Sequence, residues 1–228
     1  MCGRYPTAKL SWAEIHAQLE GFLEGWEAPE HDPPERYNIA PTQSAPIVIA
    51  DGPKAAKGMM ARWDFIPFYH KGPLEAKKWS SFNAKLETCT TSPAFRHAVK
   101  QRRCLVPNRG FFEWRKAGAA KQPVLFETGP NEIGFFAGLW DAWSGEHKGM
   151  PVALNSFTVL TCAPNALVAD IHDRMPVLLL AEDREAWLLG EPQEALARAG
   201  PYPAQMMRLR AVSPRLGNVR NDDRDLIA

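Results

Sequence analysis

Cys2 puts two nucleophiles on one residue once the initiating methionine is gone, an α-amine and a thiol. Methionine aminopeptidases act where the second side chain is small, and cysteine qualifies, so removal of Met1 is expected. A free α-amine titrates near about 7.7 to 8.0 and a thiol near about 8.5, so a usable fraction of each is unprotonated at neutral pH. Such a 1,2-aminothiol suits aldehydes: the amine condenses to an imine, and the thiol then closes a thiazolidine that hydrolyses less readily than an open Schiff base. A cysteine at position 2 is also a common accident, so this chemistry needs partners elsewhere in the chain.

Three polar residues are candidates to assist it. Glu113 lies in the aromatic run GFFEWR, with Phe111 on its own face of a strand and Phe112 and Trp114 on the other. Burial there raises a carboxyl pKa and fits it for proton transfer, whereas a strand carboxylate facing water or Arg115 would stay ionised. His172, in DIHDRMP, sits among charged groups where an imidazole can move protons near neutral pH, although a lone histidine is more often structural. Asn83, in SSFNAKLET, offers an amide that can orient a nucleophile or a sugar; loop asparagines otherwise satisfy backbone groups. Arg4, Lys85 and Arg174 are candidate phosphate contacts, with solvated surface charge as the plain alternative. Among the eight tryptophans and four tyrosines, Trp63, Tyr69 and Trp79 are candidates to stack on bases.

These residues must be positioned by short elements. Ser11 followed by Glu14 has capping-box spacing, and Trp12, Ile15, Leu19, Phe22 and Leu23 recur at helical intervals, which predicts an amphipathic helix. The segment from Glu27 to Pro46 carries Pro29, Pro33, Pro34, Pro41 and Pro46 and contains RYNIAPTQ, an ordered loop leading into a strand at Ile47 to Ala50. A second short helix is expected from Ser92 and Pro93. Strand-like runs cover Met59 to Ile66, Cys104 to Trp114, Pro123 to Glu127, Ile133 to Trp143, Ser156 to Thr161, Met175 to Leu180 and Met206 to Val212. Short helices after Ala163 and Asp183 punctuate these strands without alternating with each one, which argues against a doubly wound parallel sheet. The pattern predicts one α+β domain over residues 1–228, with a curved, mostly antiparallel, barrel-like sheet and flanking short helices.

Composition narrows the function classes. A chain of 228 residues, 45% hydrophobic, is long enough for one substantial core, and its net charge of +1 means that any nucleic-acid site is a local patch. No apolar run reaches the roughly 18 residues of a membrane span, and MCGRYPTAKL holds no signal-peptide core, so a cytoplasmic protein without a membrane partner is expected. The four cysteines, at 2, 89, 104 and 162, show no metal-ligand spacing and no disulfide pattern, so they read as free thiols, with no metal and no cofactor. A monomer is expected.

MCGRY, RYNIAPTQ, FNAKLET, LVPNRGFFEW, DIHDRMPVLL and VSPRLGNVRNDD occur in one order across nearly the whole chain, and together they resemble the SOS response-associated peptidase (SRAP) family. The resemblance implies the SRAP fold and a sensor of abasic sites in single-stranded DNA that crosslinks through its N-terminal cysteine, here Cys2. It implies active-site roles for Asn83, Glu113 and His172: Glu113 shuttling protons during imine formation, His172 assisting sugar ring opening, Asn83 orienting the cysteine or the sugar. Arg4, Lys85 and Arg174 would hold flanking phosphates, and the protein would join the nucleoid when bound to DNA. Four positions depart from the family pattern. WDFIPFY stands for WGLIPxW, with Asp64 for a glycine and Tyr69 for a stacking tryptophan; NAK stands for NAR, so Lys85 lacks the planar fork of arginine; and Cys162 stands where threonine is frequent.

Two other readings compete. In the first, Cys2 is the nucleophile of a peptidase or amidase, helped by Glu113 and His172, and the protein removes its own Met1. In the second, the aromatic and basic residues bind single strands and Cys2 is incidental. An N-terminal aminothiol beside loop charges and aromatics, with no recognisable peptidase triad, favours the aldehyde reading, in which associated lyase chemistry is also possible through the Schiff base.

Overall fold

The computed structural model describes residues 2–118, 120–129 and 132–228. Strands β1 (Gly25–Glu27), β2 (Ser44–Ala50), β3 (Ala55–Trp63), β4 (Asn83–Lys85), β5 (Arg103–Asn108), β6 (Phe111–Ala117), β7 (Ala120–Glu127), β8 (Gly134–His147), β9 (Met150–Cys162), β10 (Met175–Pro176) and β11 (Arg208–Ala211) carry the fold. Helices α1 (Trp12–Ala17), α2 (Arg96–Gln101), α3 (Ala166–Ala169), α4 (Arg184–Leu188) and α5 (Pro192–Arg198) are all short. The protein is α+β, as expected.

The larger sheet runs β1-β3-β2-β5-β8-β9-β10, and a parallel pairing of β3 with β9, Arg62 opposite Ser156 and Trp63 opposite Phe157, closes five of these strands into a barrel. The other rungs of that ring, β3–β2, β2–β5, β5–β8 and β8–β9, are antiparallel. A second sheet, β11-β7-β6, is antiparallel throughout. Barrel strands seen from both sides lose alternation: β5 is buried along its length, and β9 is buried from Ser156 to Cys162.

The run Cys104 to Trp114, expected as one strand, is two strands in different sheets. The break falls at Gly110, whose φ of 113° lies where only glycine is comfortable, and a Cβ there would run into the Phe126 carbonyl. Asn108 fixes the turn by accepting the Gly110 N–H on its side-chain oxygen at 2.9 Å. β6 leaves this turn between two cores: Phe111 packs into the main cluster, and Phe112 into a smaller one with Tyr37, Leu125, Val212, Leu216 and Leu226.

The capping box at Ser11 and Glu14 is present, with both reciprocal bonds. The second helix starts at Arg96, later than Ser92, because residues 88–95 form turns in which Arg96 N–H already bonds the Ser92 carbonyl. Met175 to Leu180 holds strand geometry only at β10, with an isolated bridge from Leu178 to Phe136. No helix among the described residues is long and apolar enough to cross a membrane.

Candidate active site

The chain's first residues are threaded through the middle of the molecule. Tyr5 exchanges both backbone bonds with Ile39, at 3.2 and 3.0 Å, while on the other side the Arg4 carbonyl accepts from Phe112 N–H at 3.0 Å. Cys2 and Tyr5 are 1% and 0% exposed, so this segment is core as well as site. Glu113, one residue past Phe112, lies near enough to Cys2 for its charge to act on the thiol.

RYNIAPTQ and VSPRLGNVRNDD, far apart in sequence, form a brace around it. Asn38, fully buried, donates from Nδ2 to the carbonyls of Leu216, Asn218 and Asn221, and Asp222 accepts the N–H groups of Tyr37 and Asn38 at 2.6 and 2.9 Å. Arg36 pairs with the same Asp222 carboxylate. Arg4 joins the brace, its Nη1 donating to Asn38 Oδ1 at 2.8 Å and to the Leu216 carbonyl at 3.0 Å, with its guanidinium 5.9 Å from the centre of the Trp114 ring. In this structure, therefore, Arg4 holds protein groups.

Asn83 is at the start of β4, which pairs in parallel with β9 through Val159, Leu160 and Thr161. Its Nδ2 donates to the Cys2 carbonyl at 2.7 Å, and its Oδ1 is buried with no hydrogen-bond partner among the described residues. Glu113 is 5% exposed, and its Oε1 is likewise buried with no hydrogen-bond partner among the described residues. Burial pushes the Glu113 carboxyl up to about 7, and the Asp173 carboxylate adds to that rise. Burial, and then the charge of Glu113, push the Cys2 thiol well above its usual range. Cys2 is therefore a neutral thiol at neutral pH in this structure.

His172 follows α3, whose first turn is capped by Asn165, and its N–H bonds the Val168 carbonyl. The chain then turns back at β10, where Met175 pairs with Cys162. Burial lowers the His172 pKa, and the Asp173 carboxylate opposes that shift. Arg174 is clamped: its guanidinium makes a two-point pair with Glu87, at 2.6 and 2.8 Å, and donates to the Thr161 carbonyl at 2.6 Å. Lys85 is exposed. Cys162 is 4% exposed, with its thiol pushed up to about 11 by burial, so the position usual for threonine holds an un-ionised thiol.

Trp63 corrects the sequence reading. It is 0% exposed, its Nε1–H donates to the Phe82 carbonyl at 2.8 Å, and its ring packs edge-on to Tyr5 and Phe82 and stacked on Phe157. It cannot stack on a base; it seats Tyr5 and the residue preceding Asn83. Tyr69 and Trp79 are 44% and 45% exposed, with Phe68 beside them at 52%. The Tyr69 hydroxyl donates to the Pro93 carbonyl at 2.7 Å, and the Tyr69 and Phe68 rings meet edge-on. Asp64, in place of the family's glycine, accepts from Lys77 Nζ at 2.8 Å and from Ser81, pinning the base of the loop that carries these rings.

Sequence reasoning missed Asn38 and Asp222 as braces and Glu87 and Asp173 as charge partners of site residues. All four lie inside motifs already singled out, but their partners are remote or adjacent in ways that spacing does not reveal. Among the described residues, no group of three or more His, Cys, Asp or Glu side chains could hold a metal ion.

A mostly antiparallel barrel with a buried Cys2 tied to a β4 asparagine and lying near a raised carboxyl defines a class that comparison makes explicit. Residues 1–219 match the family described as SOS response associated peptidase (SRAP), and the chain belongs to that family. It is 32% identical to the abasic site processing protein YoaM of Bacillus subtilis, over 100% of this chain and 97% of that one. It is 27% identical to the abasic site processing protein YedK of Escherichia coli, over 100% and 99% of the two chains. A crystal structure of a protein from Bacteroides thetaiotaomicron superimposes with a TM-score of 0.80 at 24% identity, covering 99% of this chain and 98% of that one, which shows the shared fold.

Proposed function

We propose that this chain processes abasic sites in single-stranded DNA by capturing the sugar aldehyde covalently through Cys2. The observation that carries the reading is the convergence on Cys2 of the Asn83 amide and the Glu113 carboxyl, whose pKa of about 7 lets it both give and take a proton near neutrality. Names given to relatives spanning the whole chain support the same role. Met1 lies outside the described residues, and its removal is part of the proposal, because an acylated Cys2 nitrogen cannot form an imine.

The steps follow from the protonation states. The free Cys2 amine adds to C1′ of the open sugar to give a carbinolamine. Glu113 donates a proton to the departing hydroxyl, water leaves, and an iminium remains. The thiol sulfur then bonds C1′ and its proton returns to the Glu113 carboxylate, so aldehyde plus aminothiol become thiazolidine plus water. A thiol kept neutral by burial acts second, after the amine. His172 moves the protons of ring opening. Strand cleavage as a lyase would depart from the iminium before the thiol closes on it. The buried neutral thiol weighs against a thiolate peptidase, which needs a depressed cysteine pKa. Single-strand contacts fall to the exposed Tyr69 and Trp79 rings, to Lys85, and to Arg174 and Arg4 where a phosphate replaces a present partner.

The test is incubation of wild type and Cys2→Ala with a single-stranded oligonucleotide carrying one abasic site, read on a denaturing gel without reductant. A shifted band in wild type and none in the variant is expected. No shifted band from protein proven to begin at Cys2, alongside turnover of peptides, would transfer the site to the peptidase reading.

A further inference from the structure

One nitrogen of His172 faces two groups of opposite hydrogen-bonding character. The Arg174 backbone N–H donates to Nδ1 at 3.0 Å, and Asp173 Oδ1 lies 2.9 Å from the same Nδ1. A neutral imidazole carries a single N–H, and Nδ1 is either an acceptor or a donor. Accepting from Arg174 places the ring proton on Nε2. Donating to Asp173 leaves Nε2 with a lone pair, and the charged ring, protonated on both nitrogens, also pairs with Asp173. Every protonation state of the ring therefore finds a partner at Nδ1 within about 3 Å and needs no rotation of the ring.

We propose that Asp173 makes His172 a proton switch: by holding Nδ1–H against the competing Arg174 amide, it lets Nε2 present first a lone pair and then a proton to the sugar, from one fixed ring position. Asp173 is a positioning residue, acting through His172, and the inference rests on the abasic-site reading above. The chemistry calls for such a pair of states. Opening the cyclic sugar takes a proton from the C1′ hydroxyl and delivers one to the ring oxygen as the C–O bond breaks. A base that turns into an acid in place can do both with no net gain or loss. With Nδ1–H held by Asp173, Nε2 takes the hydroxyl proton; the resulting imidazolium then gives its Nε2 proton to the ring oxygen and returns to its starting state. The charged groups around the imidazole are the chain's α-amine, whose charge lowers the His172 pKa, Asp173 and Arg174 from its own loop, Glu87 held on Arg174, and Glu113 on β6, which feels the charge of Asp173. Glu87 is engaged with Arg174 at both oxygens, which leaves Asp173 as the carboxylate at Nδ1.

The Asp173 side chain is 87% exposed, so Asp173→Asn is expected to fold normally. Nitrogen-15 NMR of histidine-labelled full-length protein across pH reads the tautomer and the pKa of His172 without any reaction. In wild type, both neutral tautomers are expected; in Asp173→Asn, the Nε2–H form should dominate. The His172 pKa should fall by about half a unit or more, below the one to three units of a well-shielded pair because Asp173 is exposed. The pH profile of adduct formation should move by the same amount, with Asp173→Glu restoring much of it. Unchanged tautomers and pKa in Asp173→Asn would overturn the switch even if the adduct still forms. An altered NMR signature in a protein that forms no Cys2-dependent adduct would leave the switch standing and remove the function assigned to it.

Discussion

The side-chain amide of Asn83 donates to the backbone carbonyl of Cys2 at 2.7 Å, so a residue of β4 fixes the orientation of the first peptide group beyond the nucleophile. The bond spans 81 positions of sequence and ties the N-terminal segment to a strand of the large sheet. Replacing Asn83 with leucine removes the donor and keeps the bulk. The expected cost is about 1 kcal/mol of stability, the net worth of one hydrogen bond, and a loss of adduct rate on the order of a hundredfold, because a small misplacement of a reacting atom is that expensive. Single-turnover crosslinking beside thermal melts checks it; a variant as fast as wild type would remove Asn83 from the site.

Glu113 has a folded-state pKa of about 7 against an ordinary 4.5, because burial disfavours the carboxylate. A raised carboxyl pKa means that the folded state binds the proton more tightly than the unfolded one. Its contribution to stability is full below pH 4.5 and is lost as pH rises through 7. At about 1.36 kcal/mol per unit, the loss is on the order of 3 kcal/mol. Glu113→Gln should therefore be more stable than wild type at pH 8 and close to it at pH 4.5, while crosslinking slowly at both. Denaturant titrations at the two pH values read the first difference, and equal gains at both would contradict the assigned pKa.

Trp63 and Tyr69 should separate stability from affinity. Trp63→Ala empties a fully buried site and should cost about 3 to 5 kcal/mol, while the milder Trp63→Phe should lower Tm and leave single-strand affinity unchanged in the folded fraction. Tyr69→Ala removes a half-exposed ring and should weaken single-strand binding by about 1 to 3 kcal/mol with little change in Tm. Fluorescence anisotropy with an intact oligonucleotide and parallel melts measure both.

Lys85 is exposed, whereas Arg174 is clamped by Glu87 and Thr161. If both contact phosphates in the complex, Lys85→Ala should reduce the dependence of log K on log salt by about 0.7, the single-strand value per contact. Glu87→Gln, which unlocks Arg174, should strengthen binding at low salt. An unchanged salt slope for Lys85→Ala would place the lysine outside the interface.

Much of the fold was legible because its local signals agree. The Ser11–Glu14 capping box and the β-branched run Ile47–Val48–Ile49 are short-range statements that survive folding intact. The Cys104 to Trp114 run was misread as one strand because hydrophobicity continues unbroken across Gly110, and only the left-handed φ and the Phe126 carbonyl behind it reveal the turn. Trp63 was misread for a related reason: a tryptophan at the end of a strand looks the same in sequence whether the ring faces solvent or, as here, Tyr5 and Phe157. The site residues were legible as motifs, but not their roles as partners. Asn38 to Leu216, Asn218 and Asn221, and Asn83 to Cys2, are long-range pairs that no spacing rule connects. The replacement of glycine by Asp64 was legible as a departure; that Lys77 and Ser81 bind its carboxylate was not.

Covalent capture by the Cys2 amine and thiol is tested most directly by digesting the adduct formed on an abasic oligonucleotide and measuring the mass of the modified peptide. A peptide that begins at Cys2, carries the sugar less one water, and contains no free thiol is the predicted result. Modification at any other residue, or on a peptide that still begins with Met1, would contradict capture by an N-terminal aminothiol.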